Sequence, residues 1–292
     1  MDTGATWKNE KKGIGVELGA TRERHGVVSL TTGAHQPNVV REPYFLLNIY
    51  RVLADRKLWT IARSEPFTTE WRDDGMALRW QPNETLPLEM RAAYTFDEGG
   101  GLTLDFWVRA ARELEDLEIS VSSYFDFAYE PFGVLNIVTQ DEARRAQPVL
   151  WKAEDQVFVR GHYIHLPRDD KGALLRMDGR WNNADGKCIA PAVYGPQFAW
   201  PVAVMAAPNL ENADDETGNF IVQSTTRESC VAISLTYSSD NEKDSIRNHN
   251  ATYFSLFGES LKRGEERNAT LRQTVLRGTP TLEKIEAALR KS

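Results

Sequence analysis

The sequence predicts an all-β chain: a large antiparallel β-sandwich with a short C-terminal helix. Three observations carry this reading. Apolar residues recur at period two along most of the chain, while helical spacing is confined to its end. Turn-forming clusters such as Asp73-Asp74-Gly75, Asp97-Glu98-Gly99-Gly100-Gly101 and Asp169-Asp170-Lys171-Gly172 punctuate the alternating runs. No helices intervene between the strands, which excludes TIM-barrel and dinucleotide-binding architectures.

Taken in order, residues 1–12 lack any apolar pattern and are expected to be a loose terminus, with residues 13–292 forming one sandwich domain. No linker rich in Pro, Gly or Ser and no internal repeat divides that span. Short alternating runs place strands at 15–18, 26–31, 44–50, 58–63, 68–71, 76–81 and 89–96. The clearest strand is 101–110, where Leu102, Leu104, Phe106 and Val108 share one face and Thr103, Asp105, Trp107 and Arg109 the other. Further strands are expected at 118–127, 156–161, 202–206, 219–224, 231–237, 251–257 and 268–276. At the end, Thr279 can cap a helix, Pro280 suits its first turn, and Leu282, Ile285 and Leu289 form one apolar stripe to lay on the outside of the sandwich.

Composition bounds the function. A chain of 292 residues buries a large core without needing disulfides or a structural metal. With 35 basic and 42 acidic residues the net charge is −7, which argues against nucleic acid as a partner. No apolar run reaches membrane-spanning length, the best, around 43–49, being interrupted by Asn48. Residues 1–12 carry no secretory signal, yet a processed leader would leave no trace, so a cytoplasmic and a secreted location both stay open. Cys188 and Cys230 are read as two free thiols in preference to one bridge. The sequons at Asn83, Asn250 and Asn268 matter only in a secreted eukaryotic chain. Nucleophile elbow, P-loop and dinucleotide fingerprint are all missing, so acyl, phosphoryl and hydride transfer are not expected and no cofactor is implied.

Two stretches carry a resemblance. "LTLDFWVRAARELEDLEISVSSYFDF" places Val121-Ser122-Ser123-Tyr124-Phe125 at the end of a strand that follows 101–110. "LKRGEERNATLRQTVL" places Gly264-Glu265 in a turn before the last long strand. In this order the two resemble the galactose mutarotase-like family, the aldose 1-epimerases and their relatives. The resemblance covers about half of the chain and implies a mutarotase-like supersandwich that handles a carbohydrate. It also exposes departures: Ser122 stands where the family has its first catalytic histidine, and Ser234 lies near the position of its catalytic glutamate. Mutarotation needs a base for the anomeric hydroxyl and an acid for the ring oxygen, and serine replaces imidazole in neither role near neutral pH. An ordinary aldose 1-epimerase is therefore not expected.

The densest polar constellation lies in 158–183. His162 is read as the candidate catalytic imidazole, supplying from a neighbouring strand what Ser122 lacks. Arg160, His165 and Asp178 are read as polar partners for sugar hydroxyls, and Trp181 and Trp200 as stacking surfaces for the apolar faces of a sugar ring. Tyr124 and Asp126, at the end of a buried strand, are expected to point their polar tips into the same groove. Two histidines three residues apart without further ligands do not make a zinc site, so no metal is expected. His249 reads as a loop residue, and His25 and His35 are given no role. The expected function is carbohydrate binding by an aldose-epimerase-like protein, a divergent sugar isomerase included. The alternative is a glycoside hydrolase or polysaccharide lyase working in a sandwich groove. A lyase would draw on Tyr124 or Tyr163 with His162 and Arg160, and a hydrolase on two carboxylates among Asp126, Glu130 and Asp178.

Overall fold

The computed structural model describes residues 6–21, 23–33, 38–138, 146–152, 160–181, 192–207, 218–239 and 250–290. The first strands are β1 (Thr6–Lys11), β2 (Ile14–Ala20), β3 (His25–Thr31), β4 (Asn48–Ala54), β5 (Lys57–Ile61), β6 (Phe67–Arg72) and β7 (Gly75–Trp80). They continue with β8 (Leu88–Phe96), β9 (Leu102–Ala110), β10 (Leu114–Phe125), β11 (Glu130–Val138), β12 (Ala146–Lys152) and β13 (Tyr163–Pro167). Helix α1 (Asp170–Met177) precedes β14 (Ala192–Tyr194), β15 (Phe198–Ala206), β16 (Asn219–Ser224), β17 (Cys230–Thr236), β18 (Asn250–Leu261) and β19 (Glu266–Arg277), and α2 (Leu282–Arg290) ends the described chain.

A seven-stranded sheet of order β14-β13-β17-β18-β10-β4-β5 faces a nine-stranded sheet of order β12-β11-β15-β16-β19-β9-β8-β7-β6. Pairing is antiparallel throughout except between β13 and β14. The expected sandwich is therefore present, and its core is the one the alternation demanded. Leu102, Leu104, Phe106 and Val108 of β9 point inward and meet Ile119 and Val121 of β10 and Phe254 and Leu256 of β18 in one cluster. Burying each such side chain contributes roughly 1.5–3 kcal/mol.

That interior is not wholly apolar. Gln223 of β16 donates to Ser123 Oγ of β10 at 2.8 Å and to Gln273 of β19 at 2.8 Å, and accepts from Thr252 Oγ1 of β18 at 2.6 Å. Ser123 Oγ also accepts from the Leu47 backbone N–H at 2.9 Å. All four side chains are buried, and each finds partners, as buried polar groups must.

Several expectations need correction. Residues 6–11, read as part of a loose terminus, form β1 of a small sheet of order β1-β2-β3, and Trp7 packs edge-on to Phe96 at 6.2 Å. The strand expected at 44–50 begins at Asn48, and most of the one expected at 156–161 lies outside the described residues. Strands β11 and β13 went unread because Pro131 and Gly133 break the alternation of the first and the second has only 5 residues. The Asp169-Asp170-Lys171-Gly172 cluster is not a turn but the start of α1, with the Asp169 carboxylate capping Gly172 N–H at 2.9 Å. Helix α2 lies outside the sandwich as expected, with Ile285 fully buried against Val204, Phe220 and Val222 on the outer face of the nine-stranded sheet. It begins at Leu282, however, and is capped not by Thr279 but by Thr281, whose Oγ1 accepts from Lys284 N–H at 3.2 Å. Cys230 is a free, buried thiol, while Cys188 lies outside the described residues.

Candidate functional site

Strand β10 alternates between two buried faces. Ile119, Val121, Ser123 and Phe125 look into the sandwich, while Glu118, Ser120, Ser122 and Tyr124 look outward and are buried all the same. Something must therefore cover the outer face of the seven-stranded sheet. The register brings Arg51 of β4, Ala251, Tyr253 and Ser255 of β18, Ser234 and Thr236 of β17, and Tyr163 and His165 of β13 onto that same face. Aromatic rings pave it. Tyr44 stacks on Tyr124 at 4.7 Å, and Tyr253 meets Tyr124 at 5.9 Å and Tyr163 at 5.4 Å. Trp181 closes over Tyr253 at 6.4 Å and over His165 at 5.8 Å, and Tyr194 completes the row at 5.6 Å from His165.

Helix α1 supplies the cover. A Cβ at Gly172 would stand 2.4 Å from the Val231 carbonyl, so only glycine lets the helix lie directly on β17. Two turns of chain then deliver Arg176 and Trp181. Arg176 forms a fully buried ion pair with Glu118, donates to Ser255 Oγ at 3.0 Å, and lies 4.5 Å over the Trp181 ring. Glu118 also accepts from Trp181 Nε1 at 3.1 Å, and Arg180 stands 3.9 Å away. Arg51 sits between two rings, 4.9 Å over Tyr50 and 5.0 Å over Trp181, with a long 3.4 Å bond to the Trp181 carbonyl.

Beneath this cover several polar atoms have no partner among the described residues: Ser120 Oγ, Ser122 Oγ, Thr236 Oγ1 and Arg51 Nε, in side chains at most 2 % exposed. Leaving such atoms unmatched costs about 1–3 kcal/mol each. His165 Nδ1 is 2.6 Å from Ser234 Oγ, and its basicity is pushed down to about 3, first by burial and then by the nearby Arg176 cation. It is a neutral imidazole at physiological pH. Burial likewise raises the Tyr124 phenol well above its ordinary value, with Tyr50 and Tyr163 adding to the rise.

The sequence candidates fall into two groups. Tyr124, His165 and Trp181 come together on this face. His162 does not join them: it precedes β13, alternation gives the outward face to Tyr163 and His165, and its Nδ1 lies 2.9 Å from the Arg160 carbonyl. Arg160 turns to the Tyr237 hydroxyl and the Ser238 carbonyl, with Tyr237 in turn donating to Glu130 at 3.0 Å. Asp178 holds Arg180 at 2.8 Å and so acts through that arginine. Asp126 faces Arg41 at 3.9 Å and caps Ala128 N–H at the sheet's end. Trp200 packs beneath α2 on the other sheet. Asp126, Glu130 and Asp178 thus serve separate partners. Glu118, Arg51, Arg176 and Tyr253 were missed, although Glu118-x-Ser120-x-Ser122-x-Tyr124 spells a polar face on a strand whose other face is apolar. His35 and His249 lie outside the described residues. Among the described residues no group of three or more His, Cys, Asp or Glu side chains forms a metal-binding cluster, and no helix is long and apolar enough to cross a membrane.

No protein-family model matches the chain, and no curated protein matches it. Among solved structures it is similar to galactose 1-epimerase from Lactobacillus acidophilus NCFM, over 96% of this chain and 97% of that one, with a TM-score of 0.50 and 10% identity. An aldose epimerase homologue from C. elegans overlaps 95% of this chain and 100% of its own, with a TM-score of 0.49 and 11% identity. At such identities the likeness concerns the fold. The chain shares the β-sandwich fold of that galactose 1-epimerase, the fold expected from the Ser-Tyr-Phe and Gly-Glu stretches.

Proposed function

We propose that the protein binds a carbohydrate on the aromatic outer face of the seven-stranded sheet, without the turnover of an aldose 1-epimerase. The observation that carries this is the set of buried, unmatched polar atoms on Ser120, Ser122, Thr236 and Arg51, lying under Tyr124, Tyr253 and Trp181. A sugar offers hydroxyls to such atoms and apolar C–H faces to such rings. Epimerase chemistry is poorly served. Ser122 and His165 stand in one row but three strand spacings apart, about 14 Å, so His165 does not replace an imidazole at Ser122. Glu118, the carboxylate of this face, is occupied by Arg176 and Trp181. Trp181, only 8 % exposed, lies over Tyr253 and His165 as part of the cover of this face, so its replacement tests whether the face holds the ligand.

Titration calorimetry and tryptophan fluorescence against a panel of neutral and acidic monosaccharides test the reading. Binding is expected for at least one of them, and Trp181→Ala should weaken it by about 1–3 kcal/mol, roughly 5- to 150-fold. Polarimetry on freshly dissolved α-D-glucose and α-D-galactose should show no rate above the uncatalysed one. Enzymatic turnover near 1 s⁻¹ or more would restore the epimerase reading, and silence across the whole panel would sink the binding one.

A further inference from the structure

The outer surface of the nine-stranded sheet, on the far side of the sandwich from the aromatic face, carries two adjoining grooves. One, of about 840 Å³, crosses β6, β7, β8, β9 and the start of β19. The other, of about 740 Å³, runs between the β9–β19 pair and helix α2. They meet at two successive outward pairs, Asp105–Thr270 and Thr103–Arg272, and so form one furrow.

Its charge runs against that of the chain. Arg72, Arg79 and Arg91 line the first groove against Glu70 and Asp105. Lys12, Arg272, Arg277 and Lys284 line the second against Asp97. The lining therefore carries four positive charges in excess, on a protein whose net charge is −7. The arginines of the first groove are held in place. Glu89, only 3 % exposed, takes Arg79 at 2.7 Å and Arg91 at 2.9 Å and is also bound by Arg109, while the three guanidinium side chains remain about half exposed. One carboxylate thus fixes three cations. The Gln81 amide oxygen also accepts from Arg79 Nε at 2.8 Å and Nη2 at 3.3 Å, and the N–H groups that remain, chiefly on Arg91, are directed to the groove. Arg91 lies 4.6 Å over Trp107, which stiffens it further. Ala77 and Ala93 keep the middle of the groove low, and Thr68, Thr103, Thr270 and Asn268 supply neutral hydrogen-bonding groups along it.

We propose that this furrow binds an extended anionic polysaccharide, whose carboxylate or sulfate groups sit on the arginines and whose hydroxyls meet the threonines and Asn268. From β6 to β19 the furrow spans four strand spacings, about 19 Å, which suits an oligomer better than a single sugar. Single-stranded nucleic acid fits less well, because its bases require open aromatic faces and Arg91 already lies over Trp107. A symmetric second copy would set one positive furrow against another.

Calorimetry at about 50 mM NaCl on the full chain tests the proposal, with a galacturonate octamer and a heparin octasaccharide as the two anionic probes. A neutral cello-oligosaccharide and an eight-nucleotide oligo-dT serve as comparisons. At least one anionic probe should bind, less tightly at higher salt, and the response of the two separates carboxylate from sulfate recognition. Arg79→Ala/Arg91→Ala should weaken binding at least about tenfold, the scale of one lost charge-assisted hydrogen bond. Arg272→Ala/Arg277→Ala should do the same without touching the Glu89 cluster, so the test survives if the first variant folds poorly. The proposal is overturned by failure of both anionic probes, by unchanged affinity in the variants, by tighter binding of oligo-dT, by equal binding of the neutral glycan, or by dimerisation through this face.

Discussion

Replacing Glu118 by Gln removes a charge and almost no volume, and the structure sets the size of the result. The Arg176 guanidinium is fully buried and Glu118 is its only carboxylate partner among the described residues; Arg180, at 3.9 Å from Glu118, has Asp178 besides. The Trp181 Nε1 bond survives, because a glutamine Oε1 also accepts. What changes is that Arg176 becomes an uncompensated buried cation, which costs about 3–5 kcal/mol. For a chain of this size that corresponds to a drop in Tm of roughly 6–20 °C. Differential scanning calorimetry of Glu118→Gln, Arg176→Met and the double variant closes the cycle. The double variant should regain most of the loss, since an apolar side chain in place of the guanidinium leaves no charge stranded. A single variant within about 1 kcal/mol of wild type would show that Arg176 is solvated or paired elsewhere, and the covered face would then have to be redrawn.

His25 and His165 are both pushed down to about 3, chiefly by burial, with Arg63 and Arg176 respectively adding repulsion. Unfolded, each titrates near 6.5, so between that pH and about 3 the unfolded chain binds more protons and stability falls as pH falls. At pH 5 the loss should approach about 2 kcal/mol for each histidine. Urea midpoints at pH 7 and pH 5 should therefore separate less in His165→Asn than in wild type, and an equal separation would refute the assignment. Burial raises the Cys230 thiol to about 12, and its S–H lies 3.3 Å from the Ala232 carbonyl. In a Cys188→Ser background, a thiol reagent at pH 8 should leave the native protein unlabelled and modify one equivalent after denaturation. Rapid labelling of the native form would contradict the buried placement.

Local chemistry made the sandwich legible. The strand at 101–110, the punctuation by Asp-Gly clusters and the apolar stripe of α2 each follow from side-chain periodicity, which a single sequence displays in full. The strands that escaped are those where proline, glycine or shortness interrupts that periodicity, as in β11 and β13. Half of the candidate site was legible for the same reason. Tyr124 announces itself by ending a buried strand with polar residues, and Trp181 by its setting among arginines and aspartates. The choice between His162 and His165 depends on which of two residues three apart faces outward, and that is fixed only once the ends of β13 are known. The Glu118–Arg176 pair joins residues 58 positions apart through a helix that reads as a turn, so nothing local points to it.

The hydrogen-bonded cluster around Gln223 bears on a problem that hydrophobicity alone does not solve. A strand that slips by one residue turns its whole apolar set outward and is rejected outright. A slip by two restores every face, and in strands as uniformly buried as β17 and β18 the apolar ledger would scarcely notice. Gln223 notices. Moving β10, β16, β18 or β19 by two residues separates it from Ser123, Thr252 or Gln273 and strands buried donors and acceptors at about 1–3 kcal/mol apiece. Because those partners come from both large sheets, the cluster works as a key in a keyway: it indexes one sheet against the other, and with it the row of side chains on the far face of β10.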